Sequence, residues 1–244
     1  QIAGKPVVEL LGGAPRPIPA YDSYGVLDAK ADERTLRTAR DEHGFRAIKT
    51  KGGHGDLATD EAMIKGLRTL LGPDMALMLD FNQSLDPPEA TRRITRLADY
   101  DLTWIEEPVP QENLSGHARV RERSEIPIQA GENWWFPRGF AEAIAAGASD
   151  FIMPDLMKVG GITGWLNVAG QADAASVPMS SHILPEASAH VLAVTPTAHW
   201  LEVLDFAGAI LAEPLQVIDG KVTAKGPGLG LAWNESAVAK YQVT

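Results

Sequence analysis

Apolar positions along the chain fall into two alternating patterns. Short β-like runs stand at residues 18–23, 47–51, 76–82, 103–106, 128–132, 151–155, 179–182 and 200–204. Between them lie longer amphipathic stretches near 30–43, 57–71, 88–100, 114–125, 138–147, 162–176 and 186–194, each too long for a hairpin loop. Strands separated by helices predict repeated βα units around a parallel sheet. Eight strands in a chain of 244 residues point to one closed α/β barrel of the TIM type, which needs roughly 250 residues.

The two ends depart from this rhythm. Residues 2–13 read as the tail of a helix, a turn at Pro6 and a stop at Gly12-Gly13, too short to stand alone. From Ile218 to Asn234 the chain is rich in Gly and Pro and lacks a helical period, so it predicts a hairpin and loop that fold back on the body.

A buried parallel strand should be almost wholly apolar, so charge at its C-terminal end is the informative exception. Nearly every strand here carries one. The period of two places Lys49 and Lys51 on the same face as Ala47, and Asp80 with Asn82. Later strands end in Glu106, Glu132, Asp155, His182 and Glu202. Asp80, Glu106 and Glu132 follow one another at intervals of 26 residues, one βα unit each, which sets them side by side on neighbouring strands. Any one carboxylate could cap a helix or pair with a lysine, but caps need not recur at strand ends. Three buried carboxylates call for a cation, and an all-oxygen set suits Mg²⁺ or Mn²⁺ better than zinc.

The lysine pair and the histidine suggest proton transfer. A lysine beside a second cation has its pKa lowered, which makes it a base nearer neutrality. Asp155 on the sixth strand neighbours His182 on the seventh, so an Asp/His dyad would orient the imidazole. By contrast His117, His190 and His199 read as helix-surface or packing residues, Trp134-Trp135 as loop and core packing, and Gly160-Gly161 as a loop without a phosphate-binding pattern.

Composition narrows the function classes. A formal charge of -10 argues against nucleic acid or an anionic membrane surface as a partner, since both need a basic patch. No apolar run is long enough to span a membrane and no secretory pattern opens the sequence, so a cytoplasmic location is the default expectation. With no cysteine, thiol nucleophiles and Cys-ligated zinc are excluded, and any catalysis must use oxygen and nitrogen groups.

The ordered motifs Ala20-Tyr21-Asp22-Ser23, Lys49-Thr50-Lys51, Asp80-Phe81-Asn82-Gln83-Ser84, Trp104-Ile105-Glu106-Glu107-Pro108, Gly131-Glu132-Asn133-Trp134, Met153-Pro154-Asp155, Pro178-Met179-Ser180-Ser181-His182 and Thr195-Pro196-Thr197-Ala198-His199-Trp200-Leu201-Glu202 together resemble the mandelate racemase subgroup of the enolase superfamily. The resemblance covers nearly the whole chain. It implies a barrel of (β/α)7β type over 16–212, the tail of an N-terminal cap domain and linker over 1–15, and a C-terminal segment over 213–244 that returns to the barrel or cap. It implies metal ligands Asp80, Glu106 and Glu132, and Lys49 on the substrate carboxylate. Lys51 would be one acid/base and His182, supported by Asp155, the other. Glu202 would be a protonated donor to the enediolate, while Ser23 and Asn82 would contact substrate or metal-bound oxygens. The expected partners are a small carboxylate substrate and further copies of the same chain.

The reaction so implied is Mg²⁺-dependent removal of the proton α to a carboxylate, first of all racemisation of a mandelate-type 2-hydroxy acid. An acid-sugar dehydratase using the same site and a truncated, non-catalytic barrel are the alternatives. Two stretches depart from the racemase pattern: the polar, flexible Gly52-Gly53-His54-Gly55 after the lysines, where His54 could meet a polar substrate, and Ile183-Leu184-Pro185 after His182.

Overall fold

A computed structural model describes residues 1–242. The chain runs α1 (Val7–Leu10), β1 (Pro17–Ser23), α2 (Glu33–Asp41), β2 (Ala47–Lys51), α3 (Leu57–Leu71), β3 (Ala76–Asp80), α4 (Pro87–Leu97), β4 (Trp104–Glu106), α5 (Leu114–Arg121) and β5 (Ile128–Ala130). It continues α6 (Phe136–Ala145), β6 (Phe151–Ile152), α7 (Gly161–Ala175), α8 (Pro185–Ala193), β7 (Leu201–Val203), β8 (Lys221–Thr223) and α9 (Glu235–Ala239). Several helices start where the sequence supplies a cap. Asp56 accepts the Thr59 N–H at 2.9 Å, Asp86 accepts that of Glu89 at 2.8 Å before a Pro87-Pro88 first turn, and Asn113 accepts that of Gly116 at 2.9 Å.

The sheet is a curled α/β sheet in the order β6-β5-β4-β3-β2-β1-β7, all parallel, with β8 antiparallel to the start of β1. Its register matters for the site. Lys51 pairs with Asp80, Asp80 with Glu106, and Glu106 with Gln129, a single row across four strands. Parallel partners in register point to the same face. Below that row on the same face lie Tyr21, Ala47, Met78 and Trp104, a buried apolar floor separate from the main core. The opposite face, with Ile48, Leu77, Leu79, Ile105 and Ile128, packs into the large cluster under the helices.

Several strands are shorter than the pattern predicts. β3 stops at Asp80, and Asn82 turns back with a positive φ of 42° instead of continuing the strand. β5 stops at Ala130 because Gly131 has φ +135°, where an added Cβ would lie 3.0 Å from Phe140 and 3.1 Å from the Met153 nitrogen. Glu132 therefore stands on the turn beyond the strand. The strand expected at 179–182 is reduced to isolated parallel bridges, Ile152 with Met179 and Met179 with Ala198, and β6 is only two residues long. Pro154 and Pro178 explain this, since neither can donate to a ladder. Their carbonyls still accept, from His182 at 3.2 Å and from Ile152 at 3.0 Å. Residues 179–182 are thus bonded on one side to 152–154 and on the other, through Met179 to Thr197 and Ser181 to Trp200, to the approach of β7.

At the start of the chain the order is the reverse of that expected: Pro6 precedes the helix as its cap instead of following a helical tail. No helix among the described residues is long and apolar enough to cross a membrane.

Candidate active site

The strand-end row sets up the site. Carboxylate oxygens of Asp80, Glu106 and Glu132 all lie within 4.8 Å of one another; Asp80 and Glu106 are buried and Glu132 is largely so. Burial raises the Asp80 carboxyl to about 6, against the pull of Lys49, and raises Glu106 to about 7. Protein partners offset only part of this negative charge. Glu106 accepts the Trp104 indole N–H at 3.0 Å and the Gln129 amide at 3.1 Å, and Asp80 accepts both N–H groups of Asn82, backbone at 2.7 Å and side chain at 2.8 Å. The donor set is wholly oxygen and its charge is under-compensated, which fits a hard divalent cation.

Lys49 is buried and reaches two carboxylates, Glu106 and, at 2.8 Å, Glu202. Burial acts to lower its pKa, but the charges of Glu106 and Glu202 outweigh it and hold Lys49 well above the ordinary lysine range. Two lysines depressing each other, as the K-x-K spacing suggests, is therefore not what governs Lys49. Lys51 turns elsewhere: its ammonium donates to Asn82 Oδ1 and lies 3.8 Å from Asp80. Glu202 is buried, yet the Lys49 charge overcomes that burial and draws its pKa down to about 2. With Lys49 so placed, Glu202 is an ionised acceptor, taking the Ile183 N–H at 2.9 Å, and not yet the protonated donor that the motif resemblance implies.

On the other side, His182 Nδ1 lies 2.9 Å from Asp155 Oδ2 and Nε2 lies 3.3 Å from Glu132. Burial acts to lower the His182 pKa, but the bond to Asp155 and the charge of Glu132 raise it overall. Asp155 is held below the usual range by His182 and by the N–H groups of Met157 and Lys158, against its own burial. Ser23 is buried and stands in register with Lys49.

All the candidate residues thus gather at one end of the sheet. Sequence reasoning missed a supporting layer, centred on Glu107. Its carboxylate accepts from Gln83 at 2.9 Å and from Asn133 at 2.8 Å, and Lys158 donates to the same Asn133 at 2.8 Å. Burial raises Glu107 to about 8. Its backbone sits at φ +37°, an uncommon conformation for a side-chain-bearing residue. The Glu106-Glu107 doublet was the available signal, since two consecutive carboxylates cannot both point to one face of a strand. The bland histidines sort as packing: His117 and His190 are fully buried.

A family profile described as Enolase C-terminal domain-like matches residues 31–237. The chain is 36% identical to a 3,6-anhydro-alpha-L-galactonate cycloisomerase of Streptomyces coelicolor over 99% of its own length and 68% of that protein's. It is 31% identical to an L-talarate/galactarate dehydratase of Salmonella typhimurium, again over 99% of this chain but 62% of the relative. A crystal structure of an enolase from Bradyrhizobium, complexed with magnesium and mandelic acid, is similar at 93% identity and a TM-score of 0.98, covering all of this chain and 68% of that one. The chain therefore spans about two thirds of the length of the proteins it resembles.

Proposed function

The chain belongs to the enolase C-terminal domain-like family, and from that premise we propose that it removes and returns the proton α to a carboxylate, racemising a 2-hydroxy acid of the mandelate type. One arrangement carries this reading. Lys51 reaches the Asp80 end of the carboxylate triad and His182 reaches the Glu132 end, with Lys49 against Glu106 between them. Two bases bracketing one carboxylate site suit removal of a proton on one face of a carbon and its return on the other.

We read residues 179–182 as the seventh strand of a closed ring of (β/α)7β type, because they are hydrogen-bonded on both sides. Lys51 and His182 then face each other across its mouth. Asp80, Glu106 and Glu132 would hold Mg²⁺, the ion named with the Bradyrhizobium enolase, and Mn²⁺ would fit the same donors. When bound, the cation supplies positive charge beside the substrate carboxylate, where the second negative charge of an enediolate develops.

The chain's own groups do the rest. The Lys49 ammonium takes one carboxylate oxygen. As its charge turns from Glu202 to the substrate, Glu202 loses much of what keeps it ionised and can hold a proton, ready to donate a hydrogen bond to the enediolate. Asp155 occupies Nδ1 of His182, which leaves Nε2 as the atom that gives or takes the proton. Asn82 anchors the Lys51 ammonium, and the Ser23 hydroxyl is available to a substrate oxygen. Incubating either enantiomer of mandelate with Mg²⁺ in D₂O should give α-deuterated product of both hands. Absence of exchange from every aryl or alkyl 2-hydroxy acid would overturn the assignment.

A second reading, dehydration of an acid sugar, draws support from the exposed His54 in its polar loop and from the likeness to the talarate/galactarate dehydratase. There the same enediolate would expel a 3-hydroxyl assisted by His182. A 2-keto product from a panel of sugar acids, without racemised mandelate, would select it.

A further inference from the structure

The loop that follows Lys51 is tied to a buried ion pair that the reaction above does not use. Asp60, in the first turn of α3, and Arg93, in α4, are 3% and 7% exposed. Asp60 Oδ2 accepts from Arg93 Nη1 at 2.5 Å, and its other oxygen accepts the Gly53 N–H at 3.0 Å. Arg93 Nη2 donates to the Gly55 carbonyl at 2.9 Å, and Nε to Glu89 at 2.7 Å. A guanidinium that donates in three directions fixes orientation as well as charge.

The loop has little slack against this anchor. Gly52 donates to the Asp80 carbonyl at 2.8 Å, and an added Cβ there would lie 2.9 Å from Leu79 and 3.1 Å from Asp60. Gly53 sits at φ +80°, where a Cβ would lie 2.2 Å from the Ser84 hydroxyl. A buried ion pair seldom stabilises a fold more than apolar residues of the same shape, so stability alone is a weak reason for this one. His182 is held by different groups: Asp155 on its ring, and the Pro154 carbonyl on its backbone.

We propose that Arg93 and Asp60 are positioning residues that hold the 52–55 loop so that Lys51 meets one face of the substrate, while the His182 face is set independently. The proposal rests on Lys51 being a base. Its consequence is handedness: loosening the pair should impair exchange from one enantiomer and largely spare the other. A residue that merely stabilised the barrel would affect both.

The test measures α-deuterium exchange separately from each mandelate enantiomer with Mg²⁺-loaded wild type, Arg93→Lys, Asp60→Asn and Lys51→Ala, alongside amide hydrogen exchange of residues 52–56. Arg93→Lys keeps the charge and loses the fork. It should lower exchange on the Lys51 hand at least about tenfold and change the other hand less than about twofold, because misplacing a reacting group costs rate steeply. The Gly53 amide should lose protection at the same time. Equal losses on both hands, or no loss although the Gly53 amide is exposed, would overturn the proposal. Should Arg93→Lys fold poorly, Asp60→Asn carries the same comparison, since it keeps the shape and an acceptor for Gly53. If Lys51→Ala itself shows no one-handed loss, the base assignment fails and the clamp falls with it. A one-handed Lys51→Ala beside a two-handed or silent Arg93→Lys overturns the clamp alone.

Discussion

His182 Nδ1 lies 2.9 Å from Asp155 Oδ2, and the two residues also face each other as a parallel backbone bridge. The side-chain contact thus rests on a main-chain one, so the imidazole is aimed by the same register that joins the two segments.

Asp155→Asn keeps the shape of this contact but removes its charge and its preference for one tautomer. Exchange through His182 should fall by about 10²–10⁴-fold, the range in which a positioned acid/base acts. Exchange through Lys51 should survive. Rates measured from each enantiomer in D₂O check this, and loss on both hands would show that Asp155 does more than orient His182.

The carboxylate triad makes opposite predictions with and without a cation. Without one, Asp80→Asn removes a buried charge from three mutually repelling carboxylates, so its melting temperature should equal or exceed that of the wild type. With Mg²⁺ added, the wild type should gain stability by mass action and the variant should gain little. Calorimetric titration with Mg²⁺ and thermal melts of both proteins check the pair of outcomes.

Lys49→Met strands Glu106 and Glu202 without their shared cation. Breaking a buried pair from one side should cost about 3–5 kcal/mol. The double variant Lys49→Met/Glu202→Gln should recover part of that, because one of the two stranded charges is gone. Denaturant unfolding of the three proteins measures it, and a double variant no more stable than Lys49→Met would refute the account.

His117 supplies a pH signature away from the site. Burial depresses its pKa to about 4, with the Val109 carbonyl acting weakly the other way. The unfolded chain, near 6.5, takes the proton first, so this residue's contribution is present above pH 6.5 and is lost as the pH falls toward 4. The loss approaches about 3 kcal/mol for a shift of this size. His117→Leu should flatten that part of the stability curve. An NMR titration of the His117 ring in the wild type should show no protonation at pH 5, and a midpoint near 6.5 would refute it.

Much of the site was legible before the fold. Charge at the ends of apolar runs named Lys49, Asp80, Glu106, Asp155, His182 and Glu202, and all of them converge in space. What the pattern misjudged depends on where each strand stops. The period of two puts Asn82 on the strand with Asp80, whereas it leaves the strand and bonds back to it, because the backbone turns at Asn82 and Gln83 with positive φ. Pro154 lies inside one predicted strand and Pro178 immediately before the next, and together they cut both short. Glu107 carries no periodic signal, because its role comes from partners at Gln83 and Asn133, about 25 residues away on either side.

The order of apolar and polar positions, by itself, determined the alternation of strands and helices, the parallel sheet and the row of charges at strand ends. These are local or periodic properties, set by which face of each element must avoid water. Pairing and protonation were decided only by the tertiary structure. Whether Lys49 faces Lys51 or two glutamates, and whether Glu202 stands ionised, depends on distances between strands far apart in sequence. Electrostatic energies in a buried site change steeply with those distances. The Arg93–Asp60 anchor under the Lys51 loop belongs to the same class, a relation between two helices that no single segment contains.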